Sequence, residues 1–86
     1  MLFRSEALDE LGAVLATIGE RKDAITCLQS ARTCAEKTGE KAVLARILRH
    51  LANVHHEAGR QYEAWNSYEK ALTLSGERAQ IGRAHV

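Results

Sequence analysis

Proline does not occur anywhere in the 86 residues. No helix is therefore obliged to break where a pyrrolidine ring would remove a backbone donor. Aromatic side chains make up only 5% of the chain, so any core must come mainly from Leu, Ile, Val and Ala. Neither sign of charge dominates: 12 basic residues stand interspersed among 11 acidic ones. That balance excludes the concentrated basic patch that duplex nucleic acid demands. No apolar run approaches the roughly 20 residues of a membrane span. Arg4 and Glu6 follow Met1-Leu2-Phe3 directly, leaving no apolar stretch for a secretory signal. The expected location is cytoplasmic. Cysteine is scarce too. Cys27 and Cys34 stand seven apart on one expected helix, about 10.5 Å of rise against the ~7 Å limit between Cα atoms of a disulfide. They read as free thiols at the edge of a helical core.

What the chain does contain is helical periodicity, interrupted by glycine. Leu48, Leu51, Ala52 and His55 fall on one helical stripe. Gly59 breaks it, and Ala64, Tyr68 and Ala71 form a second stripe beyond. Small residues at Ala52, Ala64 and Ala71 let two helices approach closely, with Leu51, Trp65 and Tyr68 expected to fill the space between. The pattern occurs once more, forty residues upstream, as Leu8, Leu11, Gly12, Leu15, Gly19, Ala24, Leu28 and Ala31.

Four helices follow from this spacing. The first runs from about Leu2 to Ile18, with Leu8, Leu11, Leu15 and Ile18 inward and Gly19 ending it cheaply in the left-handed conformation. The second begins near Glu20, where acidic charge suits a helix N-terminus, buries Ala24, Ile25, Leu28 and Ala31 with Cys34 or Ala35, and stops at Thr38-Gly39. The third starts at about Glu40, buries Val43, Leu44, Ile47, Leu48, Leu51 and Val54, and closes at Gly59. The fourth runs from about Gln61 to Leu74, with Ala64, Trp65, Tyr68, Ala71, Leu72 and Leu74 inward, and stops at Ser75-Gly76.

These residues resemble the tetratricopeptide repeat family, in a long-period variant. The offset here is 40 (Leu11 to Leu51, Gly19 to Gly59, Ala24 to Ala64), against a usual period of about 34. The surplus lies around Glu36 to Lys41, so the second and third helices should be long at their junction. The family's tryptophan is replaced by Leu8 and Leu48, its tyrosine by Leu15 and His55, and its closing proline is absent. The resemblance implies an all-α fold: an α-solenoid fragment of two antiparallel helix-turn-helix repeats, residues 1–39 and 40–76, with a tail at 77–86. A repeat cannot bury its apolar face without neighbours, so further repeats are expected in a longer chain. The implied function is protein–protein interaction as a scaffold. The alternative is the repeat region of a larger bacterial transcriptional or signalling regulator whose effector domain is not in this sequence.

The first helix of each pair then lines a concave wall, and its solvent-facing residues are the candidate partner-binding set. They are Ala13, Ala16 and Thr17 on the first helix and Arg46, Arg49, Asn53 and His56 on the third. Small residues leave room; the basic and amide groups offer donors to carboxylates and backbone carbonyls. A peptide of acidic character is the expected partner, with Arg49 mattering most. Arg49 and Asn53 stand at i, i+4, like the basic-then-asparagine pair with which some family members clamp a C-terminal carboxylate. The rest of that clamp is missing, since Asp9 and Ala13 hold the matching places one repeat earlier. Glu6, Asp9 and Glu10 align with Arg46, Arg49 and His50, which predicts ion pairing across the two helices.

No chemistry of its own is expected of the chain. There is no nucleophile with a base, no phosphate loop and no dinucleotide fingerprint, hence no enzyme and no cofactor. His50, His55 and His56 lack the i, i+4 spacing of a zinc-binding helix, so no metal is expected. His55 occupies an inward aromatic's place and reads as a packed imidazole. Ile81–Val86 looks like the translation of a common short-read sequencing adapter, so residues 81–86 are expected to be non-native. Resequencing the source locus checks this: genomic sequence that encodes the same six residues would refute it.

Overall fold

The computed structural model describes residues 4–76. The tail at 77–86, with its expected adapter read-through, lies outside the described residues, as do Met1 to Phe3 at the expected start of the first helix. Four helices follow one another: α1 Arg4–Thr17, α2 Arg21–Thr38, α3 Lys41–Glu57 and α4 Gln61–Ser75. At 18 and 17 residues, α2 and α3 are the longer two.

The turns between helices share one design. At the α3–α4 corner Gly59 adopts φ 81°, a conformation that costs glycine nothing and a β-branched residue much. The chain then doubles back so that the Arg60 N–H reaches the His55 carbonyl at 2.8 Å, satisfying an acceptor the helix end leaves open. Glu20 to Leu15 and Glu40 to Ala35 repeat that bond at the other two corners. Corners this short make sequential neighbours antiparallel. α1 lies against α2 and α3 against α4, while α2 against α3 joins the pairs and α1 touches α3 more lightly.

Alanine makes the close packing possible. Ala24, Leu28, Ala31 and Ala35 form one stripe of α2, all fully buried, and they meet Ile47, Leu48, Leu51 and Val54 of α3 and Ala71 of α4. The expected inward residues of α2 are thus buried or nearly so, and those of α3 are buried apart from half-buried Val43 and Leu44.

The faces of α1 and α4 differ from expectation. In α1 the buried residues are Ser5, Asp9 and Gly12, which share one face at about 100° per residue. Leu8 and Leu15 flank it, half-buried against the core. Leu11 and Ile18, expected inward, are 51% and 65% exposed. Both neighbours of α1 lie on its polar side, and among the described residues no helix covers the opposite one. In α4 only Ala64 and Ala71 are buried. Trp65 and Tyr68 do not fill the space between α3 and α4; they stand 62% and 47% exposed, because α4 meets α3 through its alanines and nothing described covers its outer flank.

This asymmetry separates two leucines that the sequence offset makes equivalent. Leu51→Ala leaves a cavity in the sealed core and is expected to cost about 2–5 kcal/mol. Leu11→Ala trims a half-exposed side chain and should cost under about 1 kcal/mol. Urea denaturation of dilute protein, followed by circular dichroism, makes the comparison; equal losses would contradict the burial described.

Candidate binding groove

A groove lies between α1 and α3. Ala13, Ala16 and Thr17 follow one another at helical spacing along the flank of α1, and His50, Asn53 and Glu57 do the same on α3. With His56 and Val54 they line a groove of about 550 Å³. The α1 wall is small and weakly polar, so the groove's width comes from what α1 lacks. Thr17 bends its hydroxyl back to donate to the Ala13 carbonyl at 2.9 Å, leaving its lone pairs toward solvent. On the α3 side the Nδ1 of His56 and the side-chain oxygen of Gln61 lie 3.2 Å apart.

The α1–α3 register is fixed beneath the groove by a polar cluster. Asp9 is 1% exposed. One carboxylate oxygen accepts from Nε of Arg46 at 2.8 Å, and the other lies 2.6 Å from Nδ1 of His50. Glu6 approaches the same guanidinium at 4.0 Å. One turn earlier Ser5, fully buried, donates to the Glu40 carboxylate at 3.0 Å, and Thr38 donates to it too. The ion pairing expected between these helices exists: Glu6 keeps its aligned partner Arg46, while Asp9 pairs with Arg46 and His50.

Of the expected partner-binding residues, Ala13, Thr17, Asn53 and His56 come together in the groove, with Ala16 beside them. Arg46 and Arg49 are not among its lining residues. Arg46 is turned to Asp9, and Arg49 is half-buried. Sequence reasoning missed His50 and Glu57 as groove residues. Their signal was available, since both share the helical phase of Asn53. Among the described residues no group of three His, Cys, Asp or Glu side chains could hold a metal ion, and no helix is long and apolar enough to cross a membrane.

Two titratable groups sit in the packing rather than the groove. Cys27 is buried with its thiol 3.2 Å from the Leu8 carbonyl, to which it donates. Burial raises its pKa and the Asp9 charge adds to the effect, so the thiol stays protonated and unreactive at neutral pH. His55 is packed as expected, and its Nδ1 has no hydrogen-bond partner. Burial lowers its pKa from the ordinary 6.5, Arg60 lowers it further, and Glu63 partly opposes them.

The lowered value makes stability depend on pH. Below about pH 6.5 the unfolded chain binds a proton that the folded chain refuses, so unfolding is favoured. The stabilising contribution is complete above that pH and is lost as pH falls toward the folded value. Exchanging His55 for Phe removes it. Denaturant midpoints measured from neutral to mildly acidic pH should fall less for His55→Phe than for wild type; parallel curves would refute the assignment.

Comparison with known proteins adds the family. No curated protein and no solved structure matches the chain. A family model of the tetratricopeptide repeat matches residues 3–77, a span that includes all four helices and every groove residue. Such repeats typically serve as protein-interaction scaffolds without catalysis of their own. With the paired antiparallel helices and the glycine corners, this match shows that the chain belongs to the tetratricopeptide repeat family.

Proposed function

We propose that the chain carries two repeats, 1–39 and 40–76, and binds a peptide segment of a partner protein in the groove between α1 and α3. The observation that carries this reading is the groove itself: about 550 Å³, with a small-residue wall on α1 facing an amide, two imidazoles and a carboxylate on α3. Asn53 offers both a donor and an acceptor to a peptide backbone, and His56 a ring nitrogen. Ala13, Ala16 and Thr17 leave space for the peptide's side chains. An acidic partner would meet Arg49, which stands one turn before Asn53 on α3 though outside the groove lining, while Arg46 is held by Asp9 and Glu6. Further repeats in a longer chain would extend the same groove, and the cytoplasm is where such a scaffold would act.

A peptide array followed by fluorescence titration at dilute protein tests the reading. Ala13→Trp fills the groove and should abolish binding of any selected peptide. Asn53→Ala should weaken it roughly fivefold, the loss of a hydrogen bond worth about 1 kcal/mol. Acidic peptides should bind better than basic ones, and Arg49→Ala should remove the difference. Peptides that bind Ala13→Trp and wild type alike would place the binding surface elsewhere. Equal capture of acidic and basic peptides by wild type would end the charge preference alone.

A further inference from the structure

Opposite faces of α3 look into different grooves. Helical phase puts Leu44 about half a turn round α3 from Asn53, so what lies over Leu44 is separate from the α1–α3 groove. α2 and α4 each lie on α3 while their backbones stand apart. The gap between them is a groove of about 510 Å³ with α3 as its floor. Its centre is apolar. Leu48 is 3% exposed, and Leu44 and Leu74 are half-buried against the central cluster. Helix pairing within a repeat does not itself call for leucine at 44 and 74. α1 and α2 pair with Arg4 and Cys34 in the matching places.

The walls of this groove carry charge. Arg32 of α2 is half-buried, and its Nε is shut off from water with no hydrogen-bond partner. Glu36, one turn further along α2, does not satisfy it. Glu69 on the far wall already has an interaction of its own. Lys70 adds a second cation on α4. A charged donor buried without an acceptor is costly, and a carboxylate entering the groove would supply that acceptor. The α4 edge suits a peptide better than a simple lipid. Asn66 offers a donor and an acceptor, and Thr73, whose hydroxyl donates to the Glu69 carbonyl at 3.0 Å, keeps its lone pairs for an N–H. A peptide backbone uses both groups, whereas a hydrocarbon chain uses neither.

We propose that the groove between α2 and α4 docks a short segment of a partner protein that alternates apolar and acidic residues. Its apolar side chains seat on Leu44, Leu48 and Leu74, and a neighbouring carboxylate lies between Arg32 and Lys70, where opposite charge selects it. The α1–α3 groove shares no lining residue with this site, so the two bind independently.

Fluorescence anisotropy on the 86-residue chain, with a short end-blocked peptide of alternating leucine and glutamate as the labelled probe, tests it. Wild type should bind this probe and should not retain versions with serine for leucine or lysine for glutamate. Thr73→Trp fills the groove from an exposed position and should abolish binding. Arg32→Gln should weaken it about tenfold, the loss of a hydrogen bond to a charged group. Arg32→Glu should reverse the preference toward the leucine–lysine peptide, which a merely structural role for Arg32 would not do. Circular dichroism checks that each variant stays folded. A wild type that does not bind the probe would overturn the proposal. So would binding that survives Thr73→Trp but is lost in Ala13→Trp, which would place the peptide in the α1–α3 groove. Decanoate held more tightly than the peptide, with the same dependence on Arg32, would overturn the choice of occupant.

Discussion

A buried carboxylate sets the register on which the groove between α1 and α3 depends. Asp9 is almost wholly removed from water, and its two oxygens are met by Arg46 and His50. A carboxylate buried without partners costs several kcal/mol. If α1 slid along α3 by one turn it would strand Asp9, and with it Ser5, whose hydroxyl is directed at Glu40. The helices are therefore locked at one offset, and that offset places Ala13, Ala16 and Thr17 opposite Asn53 and His56. The Asp9 contact also turns Arg46 out of the groove lining, which removes positive charge that the groove would otherwise present.

How closely the helices approach is set by the smallest residues. A Cβ on Gly12 would lie 2.6 Å from Cγ of Leu28, a distance no packed structure tolerates. Glycine within a helix costs roughly 0.5–1 kcal/mol relative to alanine. Here that cost is offset by the full burial of Leu28, which joins the central cluster. In the second pair Ala52 stands in the place of Gly12 and Tyr68 in that of Leu28. The larger residues do not close in the same way, and Tyr68 lies at the surface. One changed glycine thus accompanies the change from a sealed helix pair to one with an open flank.

Local features were legible in the sequence, while relations between helices were legible only in part. Helix ends could be read because glycine and periodicity act over a few residues, and Gly39 and Gly59 end their helices where expected. The buried stripe of α2 was readable because neighbours surround it and leave one solution. Leu11, Ile18, Trp65 and Tyr68 were misplaced because an apolar stripe announces that it can be buried without saying what will cover it. In the groove, Ala13, Thr17, Asn53 and His56 were found from helical phase together with the wall that the tetratricopeptide resemblance implied for the first helix of each pair. Arg46 could not be placed that way, since its direction depends on the stagger between α1 and α3. Aligning repeats by forty set Asp9 beside Arg49, whereas its partners lie at Arg46 and His50.

The polar inner face of α1 gives the groove a mechanical character. α1 buries Ser5, Asp9 and Gly12 and only half-buries Leu8 and Leu15, so directional bonds rather than apolar area hold it in register. Such contacts are sensitive to geometry: formed together they allow one arrangement, and broken singly they leave an unsatisfied buried group. A wall held this way is preorganised, and a peptide entering the groove spends little free energy on ordering it. α1 and α3 touch each other more lightly than the other adjoining helices do. A ligand that touches both α1 and α3 therefore adds contacts where the fold has fewest. By linkage its binding stabilises the closed arrangement that binds it.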